Sequence, residues 1–234
     1  MSSTLIPIVS IVTPTYKNRI KFIPLMMKNV SKQLYQHDRL EWIVVGDDKQ
    51  ETKDAFELRA FPTLREMGII CKYFKCDILD NIGDKRNFCV SMVTSEIIAN
   101  MDDDDIYNQN YINESIRTMK EKKATIVGCR DMLIFYPNVG QKMIYIRGTK
   151  IHEGTMCFQK KHWQKYKFKS AIHAEGVTMV KGKFFNEVDI KNVMTCISHN
   201  ENTFDKSGLL TCAEVELNDS QRETIMNELK PIGF

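Results

Sequence analysis

The sequence predicts an α/β fold, a mostly parallel sheet flanked by helices with an antiparallel α+β second half. Three observations carry this prediction. Three segments of the first half share one order: a β-branched apolar run, a polar turn, then a helical pattern. Each of those runs ends in a polar cluster. After about residue 124 the character changes to short strand-like runs joined by turns. Short buried strands alternating with helices need helices on both faces of a parallel sheet, because such strands are apolar on both sides.

The first unit is IVSIVTPTY (8–16) followed by RIKFIPLMMKNVSKQL (19–34). The second is LEWIVVG (40–46), ending at DDKQ before a helix near 51–59. IICKYF (69–74) reads as a further strand and KRNFCVSMV (85–93) as a helix. The third unit is EIIANM (96–101), ending at four aspartates before NQNYINESIRTMKEKK (108–123). There Tyr111, Ile112, Ile116 and Met119 recur at helical spacing. Beyond it ATIVGCRDMLIFY, KMIYIR and TMCFQ read as antiparallel strands. The tail LNDSQRETIMNELK (217–230) reads as a closing helix capped by Asp219 or Ser220, with Glu223 in support.

Composition narrows the function classes. The 234 residues suit one large domain or two small ones, and 43% hydrophobic with 27% charged residues is ordinary for a soluble globular protein. A net charge of +3 is too mild for a nucleic-acid surface, and no basic stripe is present. Seven cysteines without a C-x-x-C pair, several inside apolar runs, point to reduced thiols and a cytoplasmic setting. MSSTLIPIVSIVTPTY lacks a basic n-region and is broken by Pro7, so neither a signal peptide nor a membrane span is expected.

In an open parallel sheet, ligands bind beyond the carboxyl ends of the strands. Three polar clusters fall there: TPTYKNR (13–19), DDK (47–49) and DDDD (102–105), with the IGDKRN loop (82–87) between them. Adjacent carboxylates repel, raise one another's pKa and cost stability unless a cation is present. A divalent ion removes that cost, and hard oxygen ligands select Mg2+, Mn2+ or Ca2+. The calcium-loop pattern does not fit, because no Gly follows at the required place. Mg2+ or Mn2+, held by one or two carboxylates plus phosphate oxygens, is the expectation, with Asp105 as a cap or turn residue. Beside a diphosphate, Tyr16 is placed to stack on a base and Asp47 to accept an N–H from a pyrimidine such as uracil. Lys85 and Arg86, on the first turn of a helix, then meet phosphate beside the N-terminal amides.

In combination these residues resemble the family 2 glycosyltransferases of the GT-A fold, nucleotide-sugar enzymes that usually invert the anomeric centre. VSIVTPTYKNR is similar to that family's first-strand signature, and EWIVVGDD to its E-[IV]-[IV]-V-[VD]-D-D segment. NIGDKRN resembles N-x-G-x-x-x-A-R-N with one residue fewer before the Arg-Asn pair, and NMDDDDIY the L-D-x-D-D form of the DxD motif. The resemblance covers residues 8 to about 115. It implies nucleoside contacts from Thr13, Tyr16 and Asp47, in a donor site that also takes in Pro14, Thr15, Arg19, Lys85, Arg86, Asp102 and Asp103. Asp102 and Asp104 fall on the DxD pair; Asp103 or Asp104 touches ribose or metal, and Asp104 is the favoured metal ligand.

The second half is similar to a subgroup of the same family. EGTMCFQKKHW (153–163) resembles a segment lining the acceptor side, which implies Gly154, Thr155 and Met156 there. HAEGVTMVKGKF (173–184) aligns with the E-D motif that supplies the catalytic base. HNENTFDK (199–206) resembles an H-x-x-N-T-F-[DE]-K ending, in which His199 completes the metal or pyrophosphate site. Two positions depart from the pattern. Gly46 stands where an Asp is often found, and Gly176 takes the second acidic position of E-D, so Glu175 is left as the implied base. The implied organisation is one GT-A domain over 1–234: a nucleotide-binding half (1–123), an acceptor and catalytic half (124–206) and a helical tail (207–234).

The resemblance thus implies inverting transfer of a sugar from a nucleotide diphosphate sugar to a glycan or other hydroxyl acceptor, with Mn2+ or Mg2+ as cofactor. A UDP-sugar is favoured because one acidic reader at Asp47 suits uracil. Such transfer needs a carboxylate to take the acceptor's proton and a metal to hold the departing diphosphate. Asp189 is the rival base, and His173 a weaker candidate. Two further classes stay open. A sugar-phosphate nucleotidyltransferase is disfavoured because no Gly-rich basic loop follows the first strand. A non-catalytic sugar-nucleotide or glycan-binding module is motivated by Gly176.

Overall fold

A computed structural model describes residues 6–46, 49–76, 81–180, 185–202 and 205–234. In chain order its strands are β1 (Val9–Pro14), β2 (Leu40–Gly46), β3 (Ile70–Lys75), β4 (Ile97–Asn100), β5 (Ile106–Tyr107) and β6 (Ile126–Gly128). They continue with β7 (Asp131–Tyr136), β8 (Lys142–Arg147), β9 (Cys157–Gln159), β10 (Asn186–Glu187), β11 (Met194–Ile197) and β12 (Glu214–Val215). The helices are α1 (Ile23–Ser31), α2 (Gln50–Asp54), α3 (Phe61–Glu66), α4 (Ile82–Ser91), α5 (Tyr111–Glu121), α6 (Lys160–Lys165), α7 (Val177–Val180) and α8 (Asp219–Leu229).

Among the described residues the strands form two sheets. The larger has the order β10-β6-β9-β4-β1-β2-β3 and the smaller β12-β8-β7-β11-β5. β4, β1, β2 and β3 run parallel; β1, β2 and β4 are mostly apolar, whereas β3, at the sheet edge, alternates buried and exposed residues. Every residue of β1 and β2 is buried. The second half is mixed: β9 is antiparallel to β4 and β7 to β8, whereas β11 runs parallel to β7.

Local chemistry explains where elements start and stop. The expected helix over 19–34 divides into a 3-10 segment, Lys17–Phe22, and α1, because Pro24 sits in the first turn of α1, where its missing N–H costs nothing. The helix expected near 51–59 extends through a π-helical segment, Ala55–Ala60, into α3, whose first turn holds Pro62. Its apolar side packs on β2: the Trp42 ring meets Phe56 and Phe61 edge-on, with centroids 5.8 and 5.5 Å away. α4 is capped by Asn81, whose Oδ1 accepts from the Asp84 N–H at 3.1 Å. The α8 cap corrects the sequence expectation of Asp219 or Ser220. Asn218 accepts from the Gln221 N–H, and the Gln221 side chain accepts from the Asn218 N–H, a reciprocal capping box one residue upstream.

The sheet order decides where the site lies. β1 and β4 are neighbours in register, with Val12 opposite Asn100, and the Met101 N–H donates to the Val12 carbonyl at 3.0 Å. The polar residues that follow each strand therefore emerge side by side at one edge of the sheet.

Candidate active site

At that edge a cavity of about 770 Å³ opens between the ends of β1 and β4, the start of α4, the β7–β8 sheet and the segments 148–153 and 172–175. Its size suits a ligand of nucleotide-sugar dimensions.

The four consecutive aspartates have four different partners. Asp102 pairs with Arg86, Oδ1 to Nη2 at 2.8 Å. Asp103 accepts from the Thr15 hydroxyl at 2.7 Å and from Arg19 Nη1 at 2.7 Å. Asp104 also pairs with Arg19, and its Oδ2 lies 3.1 Å from His199 Nε2 and 3.3 Å from Asn202 Nδ2. Asp105 turns away from the cavity and accepts from the Ile197 N–H at 2.9 Å. Guanidinium groups of the chain itself already supply counter-charge to this run. The expected cap or turn role of Asp105 is corrected, since it is a buried bridge to β11.

These contacts split the carboxyl groups electrostatically. Burial, with the Asp104 charge in support, pushes Asp103 upward against the pull of Arg19. Burial also opposes charge on Asp104, but His199, Arg19 and Lys206 outweigh it and hold this carboxyl well below the usual range. Asp105 is pushed by burial up to about 8, against Lys206. Arg86 is raised: burial opposes its charge, yet Asp102 and Glu175 more than compensate. Its Nε donates to Glu175 Oε1 at 2.8 Å, Nη2 meets Asp102, and Nη1 is buried with no partner among the described residues.

The remaining expected residues divide clearly. Pro14, Tyr16, Arg19, Arg86, Asp102, Asp103, Asp104, His173 and Glu175 line the cavity. Thr13 does not; its hydroxyl accepts from the Trp42 indole at 2.9 Å inside the core. Lys85 is fully buried behind Tyr16, its Nζ donating to the Thr15 carbonyl at 2.7 Å and standing 3.8 Å from the Tyr16 ring centroid. It thereby holds the Tyr16 loop instead of facing the cavity. Gly154, Thr155 and Met156 form the wall behind the lining. The Gly154 carbonyl accepts from Tyr107 at 2.9 Å, and Thr155 Oγ1 donates to the His152 carbonyl at 2.7 Å. Asp189 is exposed and accepts from the Lys191 N–H at 3.0 Å as the cap of a short turn, away from the cavity lining. Asp47 lies outside the described residues.

Sequence reasoning passed over three lining residues, Glu153, His152 and Lys206. Lys206 closes the quoted HNENTFDK stretch and donates from Nζ to the Ile197 carbonyl at 2.9 Å. Burial works against its charge, but Asp105, Cys196 and Asp104 raise it. His152 is driven down to about 4 by burial and is therefore neutral near pH 7. Glu153 opens the quoted EGTMCF stretch; burial and the Glu175 charge push it up to about 7.

The donor set was tested against a divalent ion. Asp104 supplies one hard carboxylate in a cavity wide enough for a diphosphate, a donor count usual for Mg2+ or Mn2+, which keep phosphate and water oxygens as their other ligands. Among the described residues no three acidic, His or Cys side chains form a metal-holding group. His199 Nδ1 accepts from the Glu201 N–H at 3.1 Å, and Nε2 stands 3.1 Å from Asp104 Oδ2 and 2.8 Å from Asn202 Nδ2. His199 is not among the residues that line the cavity and meets it only through Asp104. The set fits an ion held by Asp104 and substrate oxygens.

Among solved structures the chain is similar to TarS of S. aureus in complex with UDP-GlcNAc (TM-score 0.61, 14% identity), covering 84% of this chain and 60% of that one. It is also similar to the mannosyltransferase PcManGT of Pyrobaculum calidifontis in complex with GDP-Man and Mn2+ (TM-score 0.59, 16% identity), covering 83% of this chain and 57% of that one. The chain thus spans less than two thirds of either relative, and at these identities the likeness is one of fold. Among curated proteins none matches the chain in sequence. The sequence model described as "Glycosyl transferase family 2" matches residues 10–188, most of the chain, from within β1 to the end of β10. The chain belongs to glycosyl transferase family 2.

Proposed function

We propose that the chain is a metal-assisted, inverting glycosyltransferase that moves a sugar from a nucleoside diphosphate sugar, most readily a UDP-sugar, to a hydroxyl of a glycan or other acceptor. One observation carries this reading. Arg86 is buried at the cavity wall, keeps two carboxylates in place, and among the described residues its Nη1 has no partner. A buried unpaired donor costs stability, and a diphosphate oxygen would satisfy it. Support comes from relatives of this fold bound to UDP-GlcNAc and to GDP-Man with Mn2+. The free cysteines, buried except for Cys212, support a reducing, cytoplasmic setting. Among the described residues no helix is long and apolar enough to cross a membrane.

In this reading Tyr16 stacks on the base, and Asp47 reads the pyrimidine edge. Arg86 meets the diphosphate, His199 holds Asp104 in place, and Asp103 keeps Arg19 and Thr15 beside it. Asp104 would hold a Mn2+ or Mg2+ ion, whose charge would offset that of the departing diphosphate. The acceptor oxygen attacks the anomeric carbon from the face opposite the leaving group. The bond to the diphosphate breaks with its electron pair, and the acceptor's proton passes to a cavity carboxylate. The sequence resemblance puts that task on Glu175; Glu153 stands next to it.

Thermal unfolding with UDP, GDP and dTDP, each with and without Mn2+, tests the proposal. At about 100-fold excess over Kd, a ligand bound only by the folded chain adds about 2.7 kcal/mol. UDP with Mn2+ is expected to give the largest rise in Tm, and Asp104→Ala to remove the Mn2+-dependent part. No rise with any of the nucleotides would end the reading.

A further inference from the structure

The cavity contains five carboxylates, and the transfer step needs one of them to take a proton. Four share their oxygens with guanidinium: Asp102 and Glu175 with Arg86, Asp103 and Asp104 with Arg19. A guanidinium beside a carboxylate favours its ionised form and so opposes proton uptake. Glu153 differs. Among the described residues no cation pairs with its side chain, and one oxygen, Oε1, accepts a single bond, from the Gly176 N–H at 3.0 Å. Glu153 is half-buried and lines the cavity, whereas Glu175 is only 4% exposed.

The position of Glu153 depends on Gly176. A Cβ built on Gly176 would lie 2.9 Å from Glu153 Cγ and 3.0 Å from Glu153 Oε1. Met156 Cε, 2.3 Å from that Cβ, and the Glu153 side chain together fill the volume that a side chain at 176 would take. Asn100 Nδ2 donates to the Glu153 carbonyl at 2.7 Å, and the Met156 N–H at 3.2 Å, so the backbone beneath the side chain is fixed.

From this geometry, and resting on the transferase reading above, we propose that Glu153 is the group that takes the acceptor hydroxyl's proton, with Glu175 acting as the positioning residue that holds Arg86 against the donor. The acceptor oxygen forms its bond to the anomeric carbon, the diphosphate leaves with the electron pair of the broken bond, and the proton ends on Glu153. Burial and the neighbouring Glu175 charge keep Glu153 near 7, where a carboxylate both accepts and releases protons readily.

The test uses the full chain with UDP-glucose, UDP-galactose, UDP-N-acetylglucosamine and GDP-mannose, reading nucleoside diphosphate release to water alongside UDP affinity by calorimetry. Glu153→Gln is expected to lower turnover by about 100-fold or more while UDP Kd changes less than about threefold, the range a lost general base allows. Glu175→Gln is expected to weaken UDP binding as well, because Arg86 loses a partner. A second pair guards against a folding artefact. Glu153→Ala vacates the volume beside position 176, so adding Gly176→Asp to it returns a carboxylate there; the flexible end of Met156, 2.3 Å from the built Cβ, has to swing aside. The double variant is expected to recover at least about tenfold over Glu153→Ala. Turnover by Glu153→Gln within about threefold of wild type, or a double variant no better than Glu153→Ala, overturns the assignment and leaves the transferase reading standing. A wild-type chain that binds UDP or GDP but releases nothing from any donor overturns both.

Discussion

Asp105 shows how much one residue's surroundings outweigh its type. It shares a run with three aspartates that line the cavity, yet it points inward, joins the Ile197 N–H and is pushed up to about 8 by burial. Reading the run as a sequence, repulsion demanded a cation and a metal was the natural choice. That Arg19 and Arg86 also supply counter-charge was not legible, because their pairing with the run is set by how their helices dock on the sheet. The placement separates two kinds of loss. Asp105→Ala leaves the Ile197 N–H without its partner and is expected to lower unfolding free energy by about 1–3 kcal/mol, with UDP affinity unchanged. Asp104→Ala is expected to do the reverse, sparing stability more than metal-dependent binding. Urea unfolding beside calorimetry distinguishes them, and equal effects of the two variants on UDP affinity would show that Asp105 faces the ligand after all.

At the scale of elements, strands and helices of the first half were readable because their apolar spacing is regular and their caps are local. β1, β2 and α5 follow from such patterns, and so does the crevice at the strand ends. What the pattern does not contain is which loop lies against which helix. Gly83, in the first turn of α4, is an example. Its glycine is visible within NIGDKRN, but the reason is a chain segment 86 residues later: a Cβ there would stand 1.9 Å from the Lys169 carbonyl oxygen and 3.0 Å from Glu175 Cβ. The Gly83 N–H donates to the Ala171 carbonyl at 3.2 Å, and the Lys169 N–H to the Glu175 carbonyl at 2.8 Å, so α4 and the Glu175 segment are pressed together. Gly83→Ala must push that segment off the helix. The expected cost is about 1–3 kcal/mol of overpacking, with donor turnover lowered at least tenfold as the Arg86–Glu175 pair shifts. Unchanged turnover with unchanged stability would mean that this close approach does not exist in solution.

Across the whole molecule, the cavity concentrates carboxyl groups whose folded and unfolded proton affinities differ, and this links stability to pH. Asp103, Asp105 and Glu153 are all raised, the last two to about 8 and about 7, mainly by burial. A carboxyl raised on folding binds its proton more tightly in the native chain. Its stabilising effect is complete below the unfolded value near 4, and is lost as pH climbs through the folded value. Asp104 and Glu41 are shifted downward, so they contribute above the unfolded value and matter only when pH falls below about 4. His152, lowered to about 4, adds its change below the unfolded histidine value of about 6.5. Between pH 6.5 and 8.5 the raised acids therefore dominate, and the ligand-free chain is expected to lose stability as pH rises. A loss of about 1 kcal/mol corresponds to roughly 2–4 °C in Tm for a chain of this size. Glu153→Gln removes one of the titrating groups and is expected to flatten the slope, and an arginine-neutral buffer series by calorimetry reads both. A Tm that holds constant or climbs over that interval would show that these carboxyl groups are already ionised in the native cavity, with Arg19, Arg86 and Lys206 carrying the full counter-charge.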